Sequence, residues 1–155
     1  MSSLIANIDD YRDLISSLLW AGHNVRFRAN GQSMTPFIED GDILEASPIG
    51  KHPLHVGEII LYEVGKSHLV VHRILHKRHL NHKLLVQTRG DANFTPDDWI
   101  DRSKILGKIT SIERRDLQIR PNTLQNRVYA LSWGVARRWH HFAWLIKSKL
   151  FHSAG

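Results

Sequence analysis

The sequence contains no cysteine, which excludes a disulfide framework and any thiolate-ligated metal. No stretch approaches the roughly 20 apolar residues that a membrane-spanning helix needs. The first residues lack a basic region, and Ile8-Asp9-Asp10-Tyr11-Arg12-Asp13 interrupts any apolar run, so no secretory leader is visible. Internal repeats and low-complexity tracts are also missing, which excludes solenoid and collagen-like architectures. Beyond Asp116 there is no acidic residue at all. Together these absences point to a cytoplasmic chain, peripheral to a membrane if its basic end binds one.

What is present is an ordinary globular composition. The 155 residues are 42% hydrophobic and 23% charged, enough for one hydrophobic core. The charge is unevenly placed. Arg120, Arg127, Arg137, Arg138, Lys147 and Lys149 account for the whole formal +6, so the rest of the chain is neutral. A basic tail suits an anionic membrane surface, an acidic protein or nucleic acid. The neutral remainder carries no nucleic-acid recognition motif, and no nucleic-acid partner is expected.

Residues 7 to 21 read as a helix, with Ile8, Tyr11, Leu14, Ile15, Leu18 and Leu19 on one face and Asp9, Asp10, Arg12, Asp13 and Ser16 mostly opposite. Gly22 is a plausible stop. From Val25 to Glu113 short β-rich runs alternate with turn residues, predicting strands near 25–29, 43–46, 58–63, 68–76, 83–89 and 105–113. Pro48, Gly50 and Pro53 mark 47–57 as a loop, and the polar run His76 to His82 reads as a hairpin tip. Gly90 to Asp101 is a long connection, a length that often carries function. After Arg120-Pro121-Asn122, Leu124, Val128, Leu131, Val135, Trp139, Phe142, Ile146 and Leu150 form a stripe at helical spacing. Basic residues and three tryptophans accompany it, as in an in-plane membrane helix or one that packs on protein. The expected organisation is a helix at 1–24, a β domain at 25–119 and a basic amphipathic helical tail at 120–155. A membrane surface or protein partner would meet residues 124–151.

The stretch Gly31-Gln32-Ser33-Met34-Thr35-Pro36 follows the first predicted strand and precedes the turn Glu39-Asp40-Gly41-Asp42. A serine there has its hydroxyl near the surface on a restricted backbone, which suits a nucleophile and many ordinary turns alike. Further on come Val71-His72-Arg73, then Gly90-Asp91-Ala92-Asn93 with Asp97-Asp98 behind it, and Gly107-Lys108-Ile109. This ordered set, over about residues 25 to 113, resembles the signal peptidase I family. The resemblance implies a mainly β (α+β) fold, a signal peptidase- or LexA-like core of coiled sheets flanked by a helix at each end.

The resemblance makes Ser33 the nucleophile of a serine endopeptidase that cleaves a leader or signal segment through an acyl-enzyme. A serine hydroxyl needs a base within hydrogen-bond reach. The family's bacterial members use lysine, whereas the matching position here is His72, as in the endoplasmic-reticulum and archaeal-type branch. Histidine titrates near neutrality and can take a proton and return it without deep burial. For the carboxylate that orients the imidazole, the pattern favours Asp98, with Asp91 second. The loop between them is one residue longer than the family pattern and contains Pro96. The family's side-chain oxyanion donor sits two residues before the nucleophile, where this chain has Gly31, so Gln32 or a backbone amide is left to serve. Gln32, Met34 and Pro36 are the residues expected beside the substrate, an extended segment bound by strand addition.

Eleven histidines raise the question of a metal. His52 with His55, or His68, His72 and His76 along one strand face, have suitable spacings, but no carboxylate lies in register with them. No metal and no cofactor are expected. Two alternatives stand beside the peptidase reading. A LexA-type self-cleaving regulator would need a lysine base and an upstream DNA-binding domain. An inactive peptidase-like binding module would hold a membrane or protein through its tail.

Overall fold

The computed structural model describes residues 8–65 and 68–121. The predicted tail helix lies outside the described residues. The chain begins with α1 (Ile8–Trp20) and continues as strands β1 (Val25–Arg28), β2 (Ile43–Pro48), β3 (Ile59–Val64), β4 (His68–Leu80), β5 (Lys83–Arg89) and β6 (Trp99–Asp101). A single 3-10 turn at Arg102–Lys104 leads to β7 (Ile105–Arg114) and β8 (Leu117–Ile119). The fold is mainly β. All eight strands belong to one antiparallel sheet of order β1-β2-β7-β3-β4-β5-β6, with β8 on β7.

The central strand explains why one sheet supports two cores. Ile59-Ile60-Leu61-Tyr62 is a continuous apolar run rather than an alternation, the pattern of a strand buried on both faces. Ile59 and Leu61 join a cluster with Ile15, Leu19, Met34, Ile38, Leu44, Ile109 and Ile112. Ile60 and Tyr62 join Ile49, Leu54, Ile74, Val86 and Ile105 on the other side. Each fully buried aliphatic side chain contributes about 1.5–3 kcal/mol.

Helix α1 closes the first cluster with part of the expected face, Leu18 packing beside its two buried aliphatic residues. Ile15 and Leu19 are buried, whereas Tyr11 and Leu14 are about half exposed, at 49% and 55%. Ser16, expected outside, is buried and donates to Glu63 at 3.3 Å. The cause is a narrow seat on the sheet. At Gly107 an added Cβ would lie 2.8 Å from the Ser47 carbonyl and 3.3 Å from Leu19 Cδ2, so only a bare backbone admits Leu19 there. The helix contacts the sheet through that notch and leaves its flank in solvent.

The hairpin tip predicted at His76–His82 is shorter than expected. Strand β4 runs on to Leu80, and only Asn81 and His82 turn the chain, both with positive φ (49° and 61°). Two such residues match the right-handed twist of a two-residue hairpin. A solvated ribbon accepts charged side chains on both faces, and the Arg78 guanidinium covers the Trp99 ring at 4.1 Å. The β4–β5 register shifts between Ile74 and His76, which breaks the alternation that was to place His68, His72 and His76 on one face. Strands β6 and β8, each three residues long, were not predicted because so short a segment shows no period.

Candidate active site

Three separated segments converge at the end of the sheet. The turn after β1 brings Ser33, β4 brings His72, and the β5–β6 loop brings Asp97. Ser33 Oγ lies 3.0 Å from His72 Nε2, and His72 Nδ1 lies 2.7 Å from Asp97 Oδ2. His72 is 7% exposed, so its hydrogen bonds are to protein. An ionised carboxylate only accepts, so Nδ1 carries the proton and Nε2 offers its lone pair to the serine hydroxyl. That is the tautomer a general base requires.

The turn holding Ser33 is braced from several sides. The Ser33 carbonyl accepts from Ala92 N–H at 2.8 Å, tying the Ser33 turn to the Gly90–Asn93 loop. Gly90 lets the two segments meet. A Cβ there would sit 2.4 Å from the Ser33 carbonyl oxygen and 2.9 Å from His72 Nε2, inside contact distance of both. On the far side of the turn, Arg114 grips the buried Asp42 with Nε at 2.9 Å and Nη2 at 2.7 Å, and also reaches the Phe37 carbonyl at 3.1 Å. Burial pushes the Asp42 carboxyl up, but the Arg114 hydrogen bond and charge, with the Glu39 amide, hold it below its ordinary value.

The acid partner differs from the one expected. Asp98 is exposed and takes no part in the chain of hydrogen bonds, and Asp91 is occupied elsewhere. Asp91 receives Arg73 Nε at 2.9 Å and Nη2 at 2.6 Å. Arg73 is buried, donates also to the Gly57 carbonyl at 2.8 Å, and stacks over the Phe37 ring at 4.7 Å. The reason is the length of the loop. Asp98 stands one residue farther from Asp91 than the family spacing allows, and the residue at the shorter spacing is Asp97, whose amide is fixed to the Thr88 carbonyl at 2.8 Å.

Asp97 has further partners that the sequence reading missed. Thr88 donates to Asp97 Oδ2 at 2.7 Å and Tyr62 donates to the same oxygen at 3.1 Å. Burial pushes the Asp97 carboxyl up, but the His72, Thr88 and Tyr62 hydrogen bonds outweigh it and leave the pKa below the ordinary 3.8. Burial, with the Asp97 charge beside it, pushes the Tyr62 phenol up against a smaller opposing effect from Thr88. Tyr62 therefore remains a proton donor. A hydroxyl threonine two residues before Gly90 was the available signal, but an aromatic in an apolar run reads as core.

A cleft of about 530 Å³ leads to Ser33 and His72. Its floor is apolar, with Ile15, Met34, Leu44 and Leu61, and its sides are formed by Phe27–Gly31 and His68–His72. Both sides present backbone. Among the described residues the ladder partner of β1 is β2, that of Leu69–His72 is β3, and β5 joins β4 from Arg73 onward. Met34 lines the cleft from the core, whereas the exposed Gln32 and half-buried Pro36 lie outside its lining. At Gly31 an added Cβ would meet nothing within 4 Å. Its N–H donates to Asp40 Oδ1 at 2.8 Å.

No protein-family model matches the chain. Curated relatives do. The signal peptidase complex catalytic subunit SEC11 of Candida albicans is 42% identical over 66 residues, covering 42% of this chain and 39% of the relative. The SEC11 of Yarrowia lipolytica is 33% identical over 81 residues, covering 46% of each. The SEC11 of Debaryomyces hansenii is 39% identical over 67 residues. The chain thus spans less than half the length of these relatives. No described helix is long and apolar enough to cross a membrane. Nothing in these relatives supports the cytoplasmic placement read from the sequence.

Proposed function

We propose, for a chain related to the endoplasmic-reticulum-type signal peptidase I-like family, that it is a serine endopeptidase with Ser33 as nucleophile, His72 as general base and Asp97 as the orienting carboxylate. The observation that carries this reading is the continuous contact from Ser33 Oγ through the imidazole to Asp97 Oδ2, at 3.0 and 2.7 Å. His72 Nε2 takes the hydroxyl proton as Oγ attacks the scissile carbonyl. Asp97 offsets the charge of the imidazolium and holds the ring in place. The proton then passes to the leaving amine, and water attacks the acyl-enzyme by the same route in reverse. With glycine at position 31, oxyanion stabilisation falls to backbone donors, of which the Ser33 N–H is one, worth about 3 kcal/mol.

The substrate in this reading is an extended segment with small residues before the cut. It enters the cleft lined by Phe27–Gly31 and Leu69–His72, bound as an added strand. The Ser33–His72–Asp97 contact favours an enzyme over an inactive binding module, which would have no use for a base aligned on a serine. The test is to incubate the protein with a mixed library of extended peptides and read the products by mass spectrometry. Cuts after small residues, absent with Ser33→Ala, support the proposal. A folded wild type that leaves the library intact, with and without lipid vesicles, contradicts it.

A further inference from the structure

Orienting one imidazole needs one acceptor oxygen, yet Asp97 Oδ2 receives donors from three neighbouring strands. His72 Nδ1–H comes from β4 at 2.7 Å, Thr88 Oγ1–H from β5 at 2.7 Å, and Tyr62 O–H from β3 at 3.1 Å. Tyr62 and Thr88 are also 3.0 Å from each other. Proton counting assigns their roles. Each hydroxyl has one hydrogen, and at 2.7 Å Thr88 must point its own at the carboxylate, because two bare oxygens would repel there. The phenol likewise gives its hydrogen to Asp97, since the carboxylate is the stronger acceptor. Both groups are buried, at 0% and 1% exposure, so water does not substitute for either.

The same two residues reach other parts of the relay. The Tyr62 ring meets the His72 ring edge-on, with centroids 6.4 Å apart and planes at 61°. The Thr88 carbonyl takes the Asp97 amide at 2.8 Å, and the neighbouring Gln87 donates to the Asp97 carbonyl at 3.1 Å. The carboxylate lies on a long, largely exposed loop, but its position is dictated by the sheet. Without that hold, a loop aspartate would sample many positions, and only some would accept Nδ1–H in line.

We propose that Tyr62 and Thr88 form a hydroxyl cradle that positions Asp97 for the Ser33–His72 reaction, acting on the serine through the carboxylate rather than on the substrate. The inference rests on the reading of Ser33 as an activated nucleophile. It assigns a chemical task to two core residues whose alternative is only to satisfy each other inside the β3–β5 packing.

The test is the second-order rate at which a fluorophosphonate probe labels Ser33, measured on the full chain with mass-spectrometric assignment. The wild type is compared with Tyr62→Phe, Thr88→Val and Thr88→Ser, with thermal unfolding of each. The cradle predicts that Tyr62→Phe and Thr88→Val slow labelling on the order of tenfold each. Thr88→Ser, which restores the hydroxyl, stays within about twofold of wild type by the same reckoning. A purely structural role predicts changes in melting temperature with unchanged labelling rates, or a Thr88→Ser rate as low as that of Thr88→Val. Either result overturns the proposal. Should Tyr62→Phe fail to fold, the Thr88 pair decides alone. A folded wild type that is not labelled removes the nucleophile itself and the cradle with it, an outcome distinct from a labelled wild type with indifferent variants.

Discussion

Of the three aspartates in the β5–β6 loop, Asp91 near one end and Asp97 near the other are held by adjacent residues of β4 in different ways. Asp91 takes the Arg73 guanidinium through both oxygens, and Arg73 is buried with a carbonyl and an aromatic face as further partners. That end of the loop is closed by the Arg73–Asp91 pair. Asp97 takes an imidazole whose other nitrogen is left facing a serine hydroxyl at the mouth of a cleft. A guanidinium stays protonated and makes a fixed clamp, whereas an imidazole gains and loses a proton near neutrality. One loop thereby carries a structural anchor and, in the proposed reading, a chemical relay six residues apart.

Substitutions at the two ends should separate these roles. Asp97→Asn removes the acceptor for Nδ1–H and favours the wrong tautomer. The expected loss is about 10³–10⁴-fold in the Ser33 labelling rate, with little change in thermal unfolding. Arg73→Met leaves Asp91 buried without its partner. It should cost about 3–5 kcal/mol in denaturant unfolding, and any activity loss should follow the folded fraction. If Arg73→Met proved as stable as wild type while abolishing labelling, the division between anchor and relay would be wrong.

Gly90→Ala tests the contact that joins the two ends. A methyl 2.4 Å from the Ser33 carbonyl and 2.9 Å from His72 Nε2 forces the loop away from the nucleophile turn. The expected stability cost is about 1–3 kcal/mol, and the labelling rate should fall by more than the unfolded fraction explains. A labelling rate equal to wild type would show that the loop adjusts freely.

The pH dependence of stability gives a smaller effect with a defined sign. The folded-state pKa of Asp97 is lowered, despite burial, by its hydrogen bonds to His72, Thr88 and Tyr62. Such a group contributes stability above its unfolded value, and that contribution disappears as pH falls through the folded-state value. Wild type should therefore lose stability relative to Asp97→Asn as pH is lowered past the ordinary carboxylate value of 3.8. A constant difference between them across that range in urea titrations would contradict the assigned hydrogen bonds. The smallest effect belongs to Asp98→Asn, at an exposed residue beside the relay. It should leave the labelling rate within about twofold, because an exposed charge in solvent acts weakly on a neighbour.

The sequence disclosed the strands more readily than the loop that matters most. Ile59-Ile60-Leu61-Tyr62 is the continuous run of a strand buried on both faces, and the alternation at Val25–Arg28 is that of a strand with one buried face. Ser33 and His72 stood out only through the resemblance of their ordered boxes to the signal peptidase I family; alone, one reads as a turn residue and the other as a strand residue. Asp98 was expected because it is the second member of the Asp97-Asp98 pair, the place the family resemblance gives the acid, although the longer spacing and Pro96 argued against a direct match. The acid of this loop is selected by the Thr88 backbone and two hydroxyls from other strands, contacts that no local pattern records. The face of α1 was legible only in part for a related reason. Helical spacing shows which side chains can be buried together, but the notch at Gly107 determines which of them are.

The most direct measurement is fluorophosphonate labelling of the folded chain, followed by identification of the modified residue. The account predicts a single adduct on Ser33, lost in Ser33→Ala, lost in His72→Ala and slowed by orders of magnitude in Asp97→Asn. A folded wild type without an adduct, or an adduct on Ser33 that persists unchanged in His72→Ala, would contradict the claim that the imidazole activates this serine.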